Sequence, residues 1–189
     1  MYELFVLGEL MDKPLHGYRL HSTITKVIGP IRQMSWGALY PLIRRLEQGG
    51  FIAREEFGGG AGGRERKMYR ITDAGVARFY ALMAEPGAYD ADYPVLFVIK
   101  MSNFHHVDQE QRLAIVRHYR AYVQFIHDYI QTSRRHITVE PAIPEAERPH
   151  ILRSLEHRLH VAEADMGWID AELARLSAEN IAPLQQPGS

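Results

Sequence analysis

One stretch of the chain combines the side chains that contact phosphates and base edges. Four apolar residues spaced i, i+3, i+4 and i+7 predict a helix with one buried side, Leu39, Leu42, Ile43 and Leu46. The opposite side carries aromatic rings, a glycine, a proline and two arginines: Trp36, Gly37, Tyr40, Pro41, Arg44 and Arg45. Arginine binds phosphate oxygens or a guanine edge, a tyrosine hydroxyl binds phosphate, and glycine admits a close backbone approach. Ser35 predicts an N-cap whose neighbouring amides suit a phosphate. This surface predicts a nucleic-acid contact; the alternative is that Trp36 and Tyr40 pack against the protein itself.

A second group of cations follows a glycine-rich run at positions 58–63. Phe51–Phe57 and Lys67–Ile71 are typical of two strands, so the glycines predict the tip of a β-hairpin. Arg64, Arg66 and Lys67 stand at the tip and the return strand. Cationic side chains on such a loop suit salt-dependent binding to phosphates. The alternative is an ordinary solvated turn.

A third group of residues suggests a small-molecule site. Aromatic, soft and cationic side chains occur together at Tyr93, Phe97, Lys100, Met101 and Phe104. An aromatic acid would stack on such rings and pair its carboxylate with Lys100. The alternative is that these residues form core, with the lysine extending outward.

The elements that position these residues predict a mainly α fold. Helical patterns over about 4–11, 16–28 and 35–48 precede the hairpin, and Thr72-Asp73 caps a fourth helix ending near Met83. Three helices followed by a hairpin predict an N-terminal winged helix-turn-helix domain with a two-stranded β wing over residues 1–85.

The rest of the chain predicts an all-helical dimerisation domain. Turn residues at 86–94 indicate a linker, residues 95–182 a helical dimerisation and effector domain, and residues 183–189 a disordered tail. Long helices are predicted over about 108–136 and from about 147 to 180. The last helix has a seam close to a heptad repeat. The predicted dimer contacts are Leu4, Leu7, Leu155, Leu159, Ala162, Met166, Ile169, Leu173 and Leu176. The alternative is that the seam closes a bundle within one chain.

Composition narrows the function classes. Residues 1–85 hold 12 Lys and Arg against 9 Asp and Glu, whereas residues 86–189 hold 10 against 14, so the first part is mildly basic. The chain has no cysteine and no catalytic fingerprint, and its start lacks a signal-peptide pattern. We therefore predict a cytoplasmic protein that is not an enzyme and needs no cofactor and no metal. His157 and His160 with Glu156 and Glu163, or the pair His105-His106, are the weighed metal candidates.

Several blocks in order resemble the PadR family of transcription regulators. They are the start Met1–Gly8, His16-Gly17-Tyr18, the run Ser35–Glu47, Gly50-Phe51-Ile52 and the run Lys67–Gly75. The similarity covers about residues 1–85, and the long helical second half is similar to the larger PadR subfamily, which includes phenolic-acid-responsive repressors.

The resemblance implies a homodimeric repressor that binds an inverted-repeat operator in double-stranded DNA, with ATGT/ACAT-like half-sites. It further implies release by a small aromatic, phenolic-acid-like effector. Two alternatives stay open: a regulator of an efflux pump that responds to hydrophobic drugs, and a metal-binding or interaction module that does not bind DNA.

Overall fold

The structure is a computed structural model, and it describes residues 1–30, 32–57 and 66–179. The predicted glycine tip, Arg64 and the predicted tail lie outside the described residues, and for Arg66 only the backbone is described. The chain divides into two compact units, Met1–Asp108 and Gln109–Ser189. In the described residues, no helix is long and apolar enough to cross a lipid bilayer.

Five helices build the first unit, and their ends follow the expected signals. They are α1 (Tyr2–Asp12), α2 (Gly17–Ile28), α3 (Trp36–Gln48), α4 (Asp73–Ala84) and α5 (Tyr93–Ser102). The Ser35 and Thr72 side chains cap α3 and α4 by accepting hydrogen bonds from the amides of Ala38 and Gly75. Gly50, which follows α3, has a φ of 72° and reverses the chain toward the sheet.

A small antiparallel sheet completes the winged helix-turn-helix. A short strand, β1 (Leu15–His16), pairs with one edge of the hairpin formed by β2 (Ile52–Phe57) and β3 (Arg66–Ile71). The hairpin pairs in the register Ile52 to Ile71. The fold class is confirmed, and β1 adds a third strand that the sequence pattern does not predict. Two residues are too short a run to show the alternation that marks a strand.

The core of the first unit forms around α1, which contacts each of the other four helices. Leu4 and Leu7 are fully buried there, as are Leu20, Leu39 and Phe79. Leu4 and Leu7 therefore hold this core together and offer no surface to a second chain, contrary to the dimer contact predicted for them. The unit also extends beyond residue 85, because α5 packs on α1 and α2.

The second unit contains two long helices, α6 (Gln109–Val139) and α7 (Arg148–Glu179). They run antiparallel, since Gln109 hydrogen-bonds near the end of α7 while Ile130 packs on Leu155 and Leu159 near its start. Arg148 closes the turn by donating to the carbonyls of Glu140 and Ile143.

The predicted dimer seam of α7 lies inside this helical hairpin. Its buried members are Leu155, Leu159, Ala162, Ile169 and Leu176, and its partly buried members are Met166 and Leu173. The seam thus closes a pair of helices within one chain, the alternative reading of its spacing. Helical periodicity alone does not say which helix will cover an apolar stripe.

Candidate nucleic-acid interface

The predicted contact side of α3 is exposed. Tyr40 is 50% exposed, and Gly37, Pro41, Arg44 and Arg45 are exposed or partly exposed as well, while the four apolar positions on the other side are buried. Among the described residues, neither Arg44 nor Arg45 forms an ion pair. These two guanidinium groups are therefore available to an anion from outside.

Aromatic rings extend this surface onto α2. The Trp36 ring stacks on His21 at 4.0 Å between centroids, and Tyr40 stacks on Trp36 at 5.4 Å. Tyr18 on α2 lies 6.1 Å from Trp36 and is 75% exposed, so its ring belongs to the same surface. Because Trp36 stacks on His21, one face of its ring packs against the protein itself, as the alternative interpretation expects for this residue.

A groove of about 840 Å³ opens beside these rings, between the start of α2, the outer side of α3 and the sheet. Four cations contribute to its wall, Arg19, Arg44, Arg54 and Lys67. Glu47 is the one acidic residue in the described lining. Because the lining is cationic and carries tyrosine hydroxyls, the groove suits a phosphate backbone.

Tyr69 forms the floor of this groove from strand β3. Its ring is buried, and burial, with Glu47 adding to the effect, raises the pKa of the Tyr69 hydroxyl. Like any tyrosine hydroxyl near neutral pH, this one is neutral and can donate a hydrogen bond.

The structure separates the two predicted arginines of α3. Arg44 lines the groove, whereas Arg45 lines a different hollow of about 480 Å³, together with Tyr2, Glu3 and Met34. Consecutive helical residues differ in direction by about 100°. Only Arg44 therefore joins Tyr18, Tyr40 and the cations of the sheet.

Gly37 has no internal reason to be glycine. Among the residues that the structure describes, a Cβ added there would meet only the Ser35 hydroxyl, at an ordinary contact distance of 3.7 Å. By contrast, a Cβ on Gly75 would lie 2.0 Å from the Phe51 carbonyl oxygen, so packing alone requires that glycine. The absence of a side chain at Gly37 leaves room at the helix start for a partner outside the chain.

The two wing strands supply two exposed cations to the groove, Arg54 from β2 and Lys67 from β3, and pair a third cation internally. Lys67 is exposed at the groove, while its carbonyl lies 3.3 Å from His16 Nδ1 on β1. Arg70 is paired with Glu55 across the hairpin at 2.6 Å, so its charge is compensated. Sequence reasoning missed Arg19, Arg54 and the groove role of Tyr18, because the fold brings them to α3 from other elements.

The predicted effector residues have a different setting. Tyr93, Phe97 and Lys100 are buried, while Met101 and Phe104 are partly buried. The Lys100 ammonium donates hydrogen bonds to the carbonyls of Met83 and Glu85, at the C-terminal end of α4. A cation is favourable at that end of a helix. Lys100 is thus already occupied within the chain, and burial lowers its pKa to about 8.

Comparisons with known proteins find one family model and several solved structures similar to this chain. Residues 6–81 match the Transcriptional regulator PadR-like family. No curated protein matches the chain. A PadR family transcriptional regulator of Eggerthella lenta is 34% identical, over 43% of this chain and 68% of that one, with a TM-score of 0.38.

Two structures of Bacillus subtilis PadR align over most of the chain. The complex with operator DNA is 19% identical over 92% of this chain and 96% of that one, with a TM-score of 0.43. The complex with p-coumaric acid is 18% identical over 93% and 98%, with a TM-score of 0.40. Residues 6–81 of this chain are therefore a domain of the transcriptional regulator PadR-like family.

Proposed function

We propose that the protein regulates transcription by binding duplex DNA with the groove side of α3. The observation that carries the proposal is the juxtaposition of Arg44, Tyr40 and Tyr18 with the cations of the sheet around one open groove. In a winged helix-turn-helix, this helix enters the major groove and the wing lies along the backbone. Arg44 then reads a base edge or holds a phosphate, and Lys67 holds a flanking phosphate.

We further propose that it acts as a homodimeric repressor on an inverted repeat. Large apolar side chains are exposed on the second unit at Phe125, Tyr129, Val161 and Trp168. By helical spacing, Phe125 and Tyr129 share one flank of α6, while Val161 and Trp168 share one flank of α7. Exposed apolar surface of this kind suits a second copy, and two-fold DNA sites match two-fold dimers.

Selection of duplexes from a random pool tests the DNA proposal without assuming an operator sequence. We expect enrichment of an inverted repeat whose half-sites lie about one helical turn, 10–10.5 base pairs, apart. Binding to the enriched site should weaken steeply with salt, since each neutralised phosphate releases counterions. An interaction module without DNA function would enrich no sequence.

Light scattering after size exclusion tests the dimer separately. Phe125→Glu places a charge in the proposed dimer contact. Arg117→Glu is the control, because it places a glutamate at an exposed position on another flank of α6. We expect a dimer for the wild type and for Arg117→Glu, and a monomer for Phe125→Glu. A Phe125→Glu dimer as tight as the wild type would exclude this contact.

Release of the DNA by an aromatic acid stays a prediction. If the acid pairs with Lys100, its carboxylate has to replace hydrogen bonds that Lys100 makes within the chain. A panel of phenolic acids and hydrophobic drugs, measured by release of the enriched duplex, distinguishes the phenolic-acid response from the efflux-type response. Release by neither class would remove the effector from the account and leave DNA binding unaffected.

A further inference from the structure

A cluster of side chains away from the groove joins the end of α1 to the short 3-10 helix Phe104–His106. The Nε2 atoms of His105 and His106 each lie 3.3 Å from Oδ1 of Asp12. One ligand atom from each of the three residues lies within 4.8 Å of the other two. Ligands about 2.0 Å from a tetrahedral zinc ion lie roughly 3.3 Å from one another. The spacing of these atoms therefore fits a shared metal ion.

The contacts within the chain leave part of this cluster unsatisfied. His106 Nε2 is buried and makes no hydrogen bond within the described residues, although it approaches Asp12 closely. The rest of the His106 ring packs edge-on against Phe79, with 5.5 Å between centroids. A buried polar atom without a partner is costly, and a bound metal ion would accept the lone pair of this nitrogen.

The local charge also favours a cation. Asp12 is the last residue of α1, and the final turn of that helix contains no basic residue. The C-terminal end of a helix carries partial negative charge from its unpaired carbonyls, and the Asp12 carboxylate adds to it. A divalent ion would neutralise both.

Close packing holds the two segments together without a metal. A Cβ on Gly8 would lie 2.1 Å from Oδ1 of Asn103, so with the Asn103 side chain in place the approach of α1 to the end of α5 needs a glycine at residue 8. Asn103 is buried and donates from Nδ2 to the carbonyl of Ile99 at 2.8 Å. Gly8 is one helical turn before Asp12, and Asn103 is two residues before His105. The ligands are therefore arranged in advance by packing.

We propose that Asp12, His105 and His106 bind a divalent transition metal ion, with zinc as the principal candidate. Two imidazoles and one carboxylate suit zinc, cobalt or nickel, whereas magnesium and calcium prefer oxygen ligands throughout. Three protein ligands leave a fourth position for water. The exposed side chain of His105 leaves the site open to ions from solution. The bound ion ties the end of α1 to the 3-10 helix and stabilises the first unit.

Titration of the full chain without a histidine tag tests this site. CoCl2 is followed by visible absorption and ZnCl2 by calorimetry. We expect one ion per chain and the absorption bands of tetrahedral cobalt. His105→Gln and Asp12→Asn should each weaken binding by about tenfold or more, an effect that even outer-shell partners of metal ligands can have. His157→Gln serves as the control, because it removes an exposed histidine of α7 that is not part of the proposed site. This variant should bind the metal ions as tightly as the wild type.

Thermal unfolding provides a second measurement that does not depend on cobalt spectroscopy. ZnCl2 should raise the Tm of the wild type and of His157→Gln, and at the same ZnCl2 concentration it should raise the Tm of His105→Gln by less. The proposal is overturned if the wild type takes up no stoichiometric ion, or if both ligand variants bind like the wild type. Equal stabilisation by MgCl2 would overturn the assignment to a transition metal.

Discussion

Arg44 and Lys100 are both expected from the sequence to meet an anionic partner, yet the structure gives them opposite settings. Arg44 is exposed beside a cationic groove and forms no ion pair with any described residue. Lys100 is 3% exposed, and its ammonium is bound to two backbone carbonyls. A cation without an internal partner is available to a ligand, whereas a buried cation with satisfied hydrogen bonds contributes to the fold. The comparison predicts that substitutions at the two sites affect different properties.

The largest effect should follow Lys100→Ala. The substitution leaves a cavity and removes the partner of two carbonyls, so we expect the free energy of unfolding to fall by about 2–4 kcal/mol. Lys26→Ala, at an exposed position of α2, should change stability little. Urea denaturation measures both. Unchanged stability in Lys100→Ala, together with lost response to a phenolic acid, would instead support the effector role.

The next effect concerns binding and involves the two arginines of α3. If Arg44 reads a base, Arg44→Ala should weaken binding to the selected duplex by about 1–3 kcal/mol, with stability unchanged. Arg45→Ala should weaken binding to the selected duplex less than Arg44→Ala does, because Arg45 lines the other hollow. Fluorescence anisotropy measures both affinities. A larger loss of affinity for Arg45→Ala than for Arg44→Ala would mean that DNA contacts the Arg45 side of α3 and not the groove side.

The effect with the smallest change per step of the measurement is a dependence of stability on pH. The pKa of Lys100 falls to about 8 in the folded chain because of burial, so between about pH 8 and 10.5 the unfolded chain holds a proton that the folded chain has released. Stability should therefore rise with pH across this window, by at most about 1.4 kcal/mol per pH unit. Lys100→Met should lack this contribution. Denaturant midpoints for both proteins, measured at several pH values, give the difference. If the stabilities of the wild type and of Lys100→Met depend on pH in the same way, Lys100 is not desolvated in the folded chain.

The local elements can be predicted from the sequence because their signals are local. The caps Ser35 and Thr72 and the four apolar positions of α3 follow from neighbouring residues, and the structure confirms all of them. Strand β1 escapes prediction because its two residues gain their pairing from β3, more than fifty positions later.

The candidate site is only partly predictable, because its residues come from separate elements. The outer side of α3 follows from helical spacing, but Arg19 and Arg54 reach the groove only through the packing of α2 and β2. Leu4 and Leu155 show what helical spacing leaves open. Their spacing correctly indicates that both are buried, but it does not indicate that residues of the same chain bury them. Periodicity identifies an apolar face, and tertiary packing decides what covers it.

Photo-crosslinking at two exposed tyrosines tests the DNA-contacting surface most directly. Tyr40 on α3 and Tyr80 on α4 are 50% and 44% exposed, and each can be replaced by a photoreactive benzoylphenylalanine. With the selected duplex bound, irradiation should crosslink DNA to position 40 and not to position 80. Crosslinking at position 80 with none at position 40 would contradict the assignment of the groove side of α3 to DNA.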